Sequence, residues 1–325
     1  MSFQLFSGTV LRERYEIVAL IGRGGMGAVY EAHDRRLPGR RCAIKEIHLP
    51  ADLGPKATAQ SREQFQREAR TLARLDHANL PKVSDYFSTG ERDYLVMDYV
   101  PGRDLHQIVQ EAARRGQFLD EAQVADWARQ LCGALEYLHR QVPPVLHRDL
   151  KPANVKLTPD GQIKLVDFGL VKPVDPDDPR TLTGARGLGS LPYLPLEQYA
   201  DLEGYTDVRS DIYALGATLY HLLTGQVPPN AQQRFLQPES LPSPRQVNPG
   251  LSPAGEAAIL AAMAVHPRQR PSSVEAWRRM WLSPGTVPAL APSSLSAWTR
   301  SLRANAWLLA LAFALTVLVV YLSLR

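Results

Sequence analysis

Two cysteines in 325 residues, Cys42 and Cys132, are too few and too far apart for a disulfide framework or a thiolate metal cage. Both are expected to be buried or half-buried thiols in a reducing compartment. The eight histidines lack the close spacing of metal ligands. An excess of one charge is lacking too. The 37 Lys and Arg against 33 Asp and Glu leave +4, spread over both signs, which argues against nucleic acid as a partner. The opening "MSFQLFSGTVLRERYEI" has no basic stretch leading into an apolar run, so no secretory leader is read there. No internal repeat is found. What is present, 45% apolar and 22% charged residues, suits one large domain or two lobes with sizeable cores.

There is a single long apolar run. Ala306 to Leu324, "AWLLALAFALTVLVVYLSL", is 19 residues without a charge. A helix of that length reaches roughly 28 Å, close to the hydrocarbon thickness of a bilayer. Trp307 and Tyr321 stand near its ends, as interfacial aromatics do. A transmembrane helix over 305–324 is therefore expected, joined to the globular part by a Pro-, Ser- and Ala-rich linker over 283–304. Ala306, Ala310 and Ala314 recur every fourth residue, a small-residue stripe that makes a second copy of the chain, as a homodimer, a candidate partner in the bilayer.

Near the other end, "IGRGGMGAVYEAHD" crowds four glycines into six positions. Each costs backbone entropy, so the turn needs a reason. Gly22, Gly24 and Gly27 form G-x-G-x-x-G, which in dinucleotide folds opens a helix. Here strand-type residues, Val29 and Tyr30, follow it, and a further strand is expected at "RCAIKEI". A strand–turn–strand flap of that kind lays backbone amides over phosphates. In the second strand Ala43, Lys45 and Ile47 share a face by the period of two. The stretch "SREQFQREARTLARL" is helical in pattern, and Glu68 falls inside the apolar stripe of Phe65, Ala69, Leu72 and Leu75. An unpaired carboxylate on a core face costs several kcal/mol, roughly, so Lys45 is its natural counter-ion.

In the middle of the chain, "VLHRDLKPANVKLTPDGQIKLVDFG" brings Asp149, Lys151, Asn154 and Asp167 close together in sequence. Two short apolar runs, Val155–Leu157 and Ile163–Val166, flank a turn at Pro159, Asp160 and Gly161. That hairpin sets Asn154 and Asp167 at the ends of paired strands, where two oxygen ligands suit Mg²⁺. Downstream of Asp120, Val124, Trp127, Ala128, Leu131, Cys132, Leu135 and Leu138 keep the spacing of a core helix, with Asp120 and Gln123 as its capping pair.

With these residues the chain resembles the protein kinases, over residues 15–282, and is most similar in style to the bacterial eukaryotic-type (Hanks-type) Ser/Thr kinases. "GRGGMGAVYEA", "AIKEI", "HRDLKPAN" and "SDIYALGATLYHLLTG" carry the likeness, and Lys151 is the Ser/Thr version of its loop. The resemblance implies an α+β, bilobal kinase fold, with a β-rich lobe over about 15–98 and an α-rich lobe over about 101–282, behind an N-terminal extension over 1–14. It implies ATP and Mg²⁺ (or Mn²⁺) and protein substrates with Ser or Thr acceptors. Ile21, Gly22, Arg23, Gly24, Gly25, Met26, Gly27 and Ala28 would cover the phosphates, held also by Lys45 with Glu68. Val29, Ala43, Met97, Asp98, Tyr99 and Val100 would frame the adenine. Asp149 would accept the hydroxyl proton, Lys151 would neutralise the γ-phosphate, and Asn154 and Asp167 would ligate the metal. Asp211 would support the loop, Glu197 and Arg270 would pair behind the activation segment, and Arg148 would meet an anion on Thr181 or Thr183. His147 would be a core residue.

Three positions depart from the family pattern. The segment closes on Pro195-Leu196-Glu197 in place of Ala-Pro-Glu, Ser190 stands for Thr, and Lys156 occupies the adenine floor, where its stem would pack. None removes a group from the chemistry. A membrane-tethered pseudokinase would have lost Lys45, Asp149 or Asp167, and all three are present. A small-molecule kinase fits less well with "GSLPY" and "PLEQY", which resemble a peptide-docking surface. Arg300 and Arg303 precede the span and Arg325 follows it, a bias toward a single-pass cell-membrane protein with a cytoplasmic kinase domain and no external domain beyond Arg325.

Overall fold

The computed structural model describes residues 4–24, 27–48, 54–90, 92–167, 188–199 and 206–282. Alternating residues build its first layer, an antiparallel sheet in the order β1-β2-β3-β4-β6-β5. The strands are β1 (Val10–Leu11), β2 (Tyr15–Gly24), β3 (Gly27–Asp34), β4 (Arg41–His48), β5 (Val83–Thr89) and β6 (Arg92–Asp98). The expected extension over 1–14 is partly built into this sheet: Val10 and Leu11 pair with Glu16 and Tyr15, and Leu11 is buried.

The sheet has apolar side chains on both faces. On one face of β4, Ala43 and Ile47 pack into the main core with Phe65, Ala69 and Leu72 of α1 (Pro55–Ala73). On the other face, Cys42 and Ile44 join Tyr15, Ile17, Tyr30, Phe87 and Tyr94. Glu46 shares this second face and is fully buried, a placement the alternation alone does not announce. It is held by Arg92 at 2.5 Å and by the hydroxyls of Tyr30 and Tyr94, which donate at 3.0 and 3.2 Å. A buried charge with that many partners is satisfied, and loss of any one of them is costly.

Helices make the second lobe. Before α2 (Leu105–Arg114), Asp104 and Gln107 form a reciprocal capping box. Ahead of α3 (Glu121–His139), Asp120 accepts from the Gln123 N–H, which is one half of the expected pair. The apolar stripe of α3 is buried as its spacing requires. β7 (Arg103–Asp104), β8 (Val155–Leu157) and β9 (Ile163–Leu165) form a small sheet, and Gly161, at φ 80°, makes the turn of the expected hairpin. The central helix, α4 (Val208–Thr224), is buried along nearly its whole length. It meets α6 (Pro253–Ala262) so closely that a Cβ on Gly216 would lie 2.6 Å from that of Ala262. α5 (Ala231–Leu236) and α7 (Val274–Leu282) complete the lobe.

Both cysteines are buried and free. Burial pushes the Cys42 thiol up to about 11 and that of Cys132 to about 12, so both stay protonated and unreactive. Among the described residues no helix is long and apolar enough to cross a membrane. The expected span over 305–324 and linker over 283–304 lie outside those residues, as do Gly25, Met26, Thr181 and Thr183.

Candidate functional site

The site is organised around a carboxylate that no substrate would touch. Asp211, in the first turn of α4, is fully buried. Its Oδ1 accepts the Arg148 N–H and its Oδ2 the His147 N–H, both at 2.9 Å, and His139 Nε2 lies 2.8 Å from Oδ2. Burial alone would raise the Asp211 carboxyl; the His139 hydrogen bond, the nearby imidazoles and the Arg148 N–H outweigh it and hold it below the usual carboxylate range. The two backbone bonds fix Arg148 in the left-handed region at φ 64°. His147 is fully buried, and that burial lowers its pKa, so it is a neutral core imidazole as expected and no proton shuttle.

The bend presents Asp149. Lys151 Nζ donates to Asp149 Oδ2 at 2.8 Å and to Ser190 Oγ at 2.6 Å. Asn154 Nδ2 donates to the Asp149 carbonyl at 2.7 Å and to Asp149 Oδ2 at 2.9 Å. The hairpin then returns, and the Val166 N–H donates to the Asn154 carbonyl at 2.9 Å, which places Asp167 beside the same loop. Asp167 is itself left-handed, at φ 62°. From the other lobe Lys45 reaches it, Nζ to Oδ1 at 2.8 Å. Burial would raise the Asp167 carboxyl, but the Lys45 ammonium, aided by Lys151, keeps it lowered and ionised. Glu68 is half-buried on α1 and takes a hydrogen bond from Gln64 at 3.1 Å.

Two ammonium groups and a set of oxygen donors therefore meet between the lobes. Both donated bonds of the Asn154 amide go to Asp149, so Oδ1 is the atom left to accept. An amide oxygen on a nearly buried residue, beside an ionised carboxylate, is a hard-oxygen donor set that fits Mg²⁺ or Mn²⁺. Among the described residues there is no cluster of three His, Cys, Asp or Glu suited to a metal.

The glycine turn has a steric cause as well as a conformational one. Gly27, at φ 146°, would place a Cβ 1.8 Å from the Glu46 carbonyl oxygen, which no side chain tolerates. Across the sheet Val29 pairs with Lys45 and Ala43 with Met97. Ala43, Met97 and Val100 are buried, while the Asp98 carboxylate turns outward to Arg40 at 3.3 Å and Tyr99 lies under the Arg41 guanidinium at 3.9 Å. Lys156 sends Nζ to the Gly102 carbonyl at 3.0 Å, so its stem runs along β7.

Behind the segment that carries Ser190, Glu197 and Arg270 form the expected buried pair. Arg270 donates to both Glu197 oxygens, at 2.6 and 3.1 Å, and Ser210 Oγ donates to Glu197 at 2.8 Å. Three residues with a part here are not evident from the sequence. His139 is the partner of Asp211, and His221 on α4 meets Tyr193 at 2.7 Å. The third, Arg234 of α5, ties the Met263 carbonyl to the Tyr213 hydroxyl. A histidine closing α3 shortly before His147 was the available signal for the first; the others depend on long-range packing.

Comparison with known proteins agrees with this geometry. A model of the protein kinase domain matches residues 15–282. Serine/threonine-protein kinase B of Synechocystis sp. is 37% identical over 227 residues, covering 67% of this chain and 38% of that protein. Serine/threonine-protein kinase C of the same organism is 36% identical over 279 residues, covering 82% and 49%. The chain thus spans between about two fifths and one half of the length of these curated relatives. Among solved structures, the PknI kinase domain of Mycobacterium tuberculosis matches with a TM-score of 0.64 at 30% identity, covering 86% of this chain and 98% of that one. The apo form of PpkA-294 matches with a TM-score of 0.70 at 27% identity, covering 86% and 99%.

Proposed function

The chain belongs to the protein kinase family, among the bacterial eukaryotic-type Ser/Thr kinases, and from that premise we propose that it transfers the γ-phosphoryl group of ATP to Ser or Thr hydroxyls of proteins. The observation that carries this is the joining of Asp149, Lys151, Asn154 and Ser190 by hydrogen bonds on a loop fixed by Asp211. The Asp149 carboxylate orients the acceptor hydroxyl and takes its proton. Lys151 bridges that carboxylate and Ser190, so its charge stands where the transferred group gains negative charge. Lys45 would hold the phosphates, and Gly22, Gly24 and Gly27 would lay backbone over them. A divalent cation held by Asn154 and Asp167 would neutralise phosphate oxygens. Purified full-length chain, incubated with labelled ATP and Mg²⁺, should place phosphate on Ser or Thr. Nucleotide binding without any transfer would leave a pseudokinase.

Control by phosphorylation follows from Arg148. Its guanidinium is half-buried on a backbone bend and has no ion-pair partner among the described residues. A phosphothreonine at position 181 or 183 would satisfy it with charge-assisted hydrogen bonds. The Thr181→Ala/Thr183→Ala chain is expected to phosphorylate a test protein at least about tenfold more slowly than wild type. An unchanged rate would exclude this control.

Anchoring rests on the 19 uncharged, mostly apolar residues from Ala306 to Leu324. The chain is read as a single-pass membrane protein with the kinase domain on the cytoplasmic side, where ATP is found. Deleting 305–324 should move it from the membrane pellet to the soluble fraction while its specific activity on a soluble acceptor is retained. Retention in the pellet after alkaline washing would exclude the span as the anchor. Pairing of two spans through Ala306, Ala310 and Ala314 would raise the effective concentration of one domain for the other and favour autophosphorylation between copies.

A further inference from the structure

The mechanism uses one face of β4. The other face carries Glu46, next in sequence to Lys45 and therefore turned away from the cleft. Its side chain is 0% exposed, and three donors from the two neighbouring strands hold it. Tyr30 of β3 gives its hydroxyl to Oε2 at 3.0 Å, and Tyr94 of β6 gives its own to Oε1 at 3.2 Å. Arg92 Nη1, also of β6, meets Oε1 at 2.5 Å. Behind them the Leu5 N–H donates to the Tyr30 hydroxyl at 3.2 Å, so that oxygen both gives and takes. Burial and the Glu46 charge raise both phenols, Tyr94 to about 12, and both remain protonated donors.

Where this clamp sits decides what it can do. Register sets Val29 opposite Lys45, Ala28 opposite Glu46 and Gly27 opposite Ile47, where the ladder between β3 and β4 ends. Ladder ends are the places where strands fray. The clamp lies one residue short of that end and joins β3 to β6 across β4 through side chains, in addition to the backbone bonds. Gly27 itself lies against the Glu46 carbonyl, so close that a Cβ there would come within 1.8 Å of the oxygen. A shift of the Glu46 peptide therefore displaces Gly27 and Lys45 together. An apolar side chain at this position would fill the core without needing partners. The carboxylate adds direction, which apolar packing lacks.

We propose that Glu46 is a positioning residue for phosphate binding: clamped to β3 and β6 from behind, it holds β4 so that Lys45 and Gly27 keep their places around the phosphates of ATP. This rests on the Ser/Thr kinase reading. Ala43 and Met97, which frame the adenine in that reading, pair with each other further along β4, away from this end of the ladder. Loss of the clamp should therefore be felt at the phosphates and not at the base.

The test is calorimetry on the full chain, in Mg²⁺, with two ligands. One is adenylyl imidodiphosphate, a non-hydrolysable ATP analogue; the other is adenosine, which has no phosphate. Glu46→Gln keeps the size of the side chain and removes the charge that Arg92 meets. Its Kd for the analogue is expected to rise about fivefold, the equivalent of one lost hydrogen bond, with the Kd for adenosine changed by less than about twofold. Equal weakening for both ligands would show that the lobe has merely loosened, and no change in either that the backbone ladder suffices. Each of these overturns the proposal. If Glu46→Gln does not fold, Tyr30→Phe/Tyr94→Phe decides, because it takes away two of the three donors and opens no cavity. The same split is expected there, and its absence overturns the proposal. Failure of the kinase reading shows in the wild-type chain itself, as analogue binding no tighter than adenosine binding, and would take this inference with it.

Discussion

Arg270→Met is expected to lower folding stability by about 3–5 kcal/mol. The side chains of Arg270 and Glu197 are 0% and 6% exposed, so their charges are almost wholly withdrawn from water. Arg270 offsets that by donating to both Glu197 oxygens and to the carbonyls of Ala264, Val265 and Arg209, and by lying 4.9 Å from the centre of the Tyr213 ring. Methionine fills most of the volume and keeps none of these bonds. Glu197 would then be a buried carboxylate with only the Ser210 hydroxyl as a described hydrogen-bond partner. The sign of the effect in the double variant is the sharper point. Glu197→Leu/Arg270→Met removes both charges, and an apolar pair of that size should regain a large part of the loss. Urea unfolding followed by tryptophan fluorescence reads both, since Trp277 and Trp281 are packed against each other in the same lobe. A loss below about 1 kcal/mol in the single variant would show that the pair is not an essential tie.

How much of this was legible beforehand depends on the range over which each cause acts. The glycine turn, the Pro159–Gly161 hairpin and the helix after Asp120 are local: dihedral freedom, period and capping are written within a few residues, and each element is found where it was expected. The site residues were legible for a different reason, a resemblance to a family with closely spaced motifs. What could not be read was pairing across the fold. In "RCAIKEI", alternation sets Glu46 on the face opposite Lys45, where a charge is ordinarily solvated. It is buried because Tyr30 on β3 and Tyr94 and Arg92 on β6 close over it, and nothing within β4 says so. The link of Tyr193 to His221, and that of Arg234 to Met263 and Tyr213, are of the same kind. Lys45 shows both cases. Its face and buried setting follow from the strand, but its 2.8 Å contact with Asp167 joins residues from opposite lobes.

That contact sets the second large effect. Lys45→Met and Asp167→Asn are each expected to lower the rate of phosphoryl transfer by on the order of 10²–10³ or greater, with the fold retained. The two changes are matched in what they leave alone. Asp167 occupies the left-handed region at φ 62°, which asparagine tolerates better than other polar residues, so the backbone at this position keeps its shape. Methionine replaces the lysine stem in length, between the buried Ala43 and Ile47 on the same face of β4. Neither variant opens a cavity. What each removes is charge: the ammonium that would meet the phosphates, or the carboxylate that would hold the divalent cation. The Asp167 side chain is 37% exposed, so water screens the broken ion pair and stability should change by less than about 1 kcal/mol. The two also differ in a way that separates their roles. Asp167→Asn should raise the Mg²⁺ concentration needed for the half-maximal rate, whereas Lys45→Met should leave that concentration in place and act on the maximal rate. Initial rates on dephosphorylated casein across a Mg²⁺ series, with circular dichroism of each variant, distinguish these outcomes. A folded variant of either kind that transfers phosphate at the wild-type rate would sink the assignment of this site.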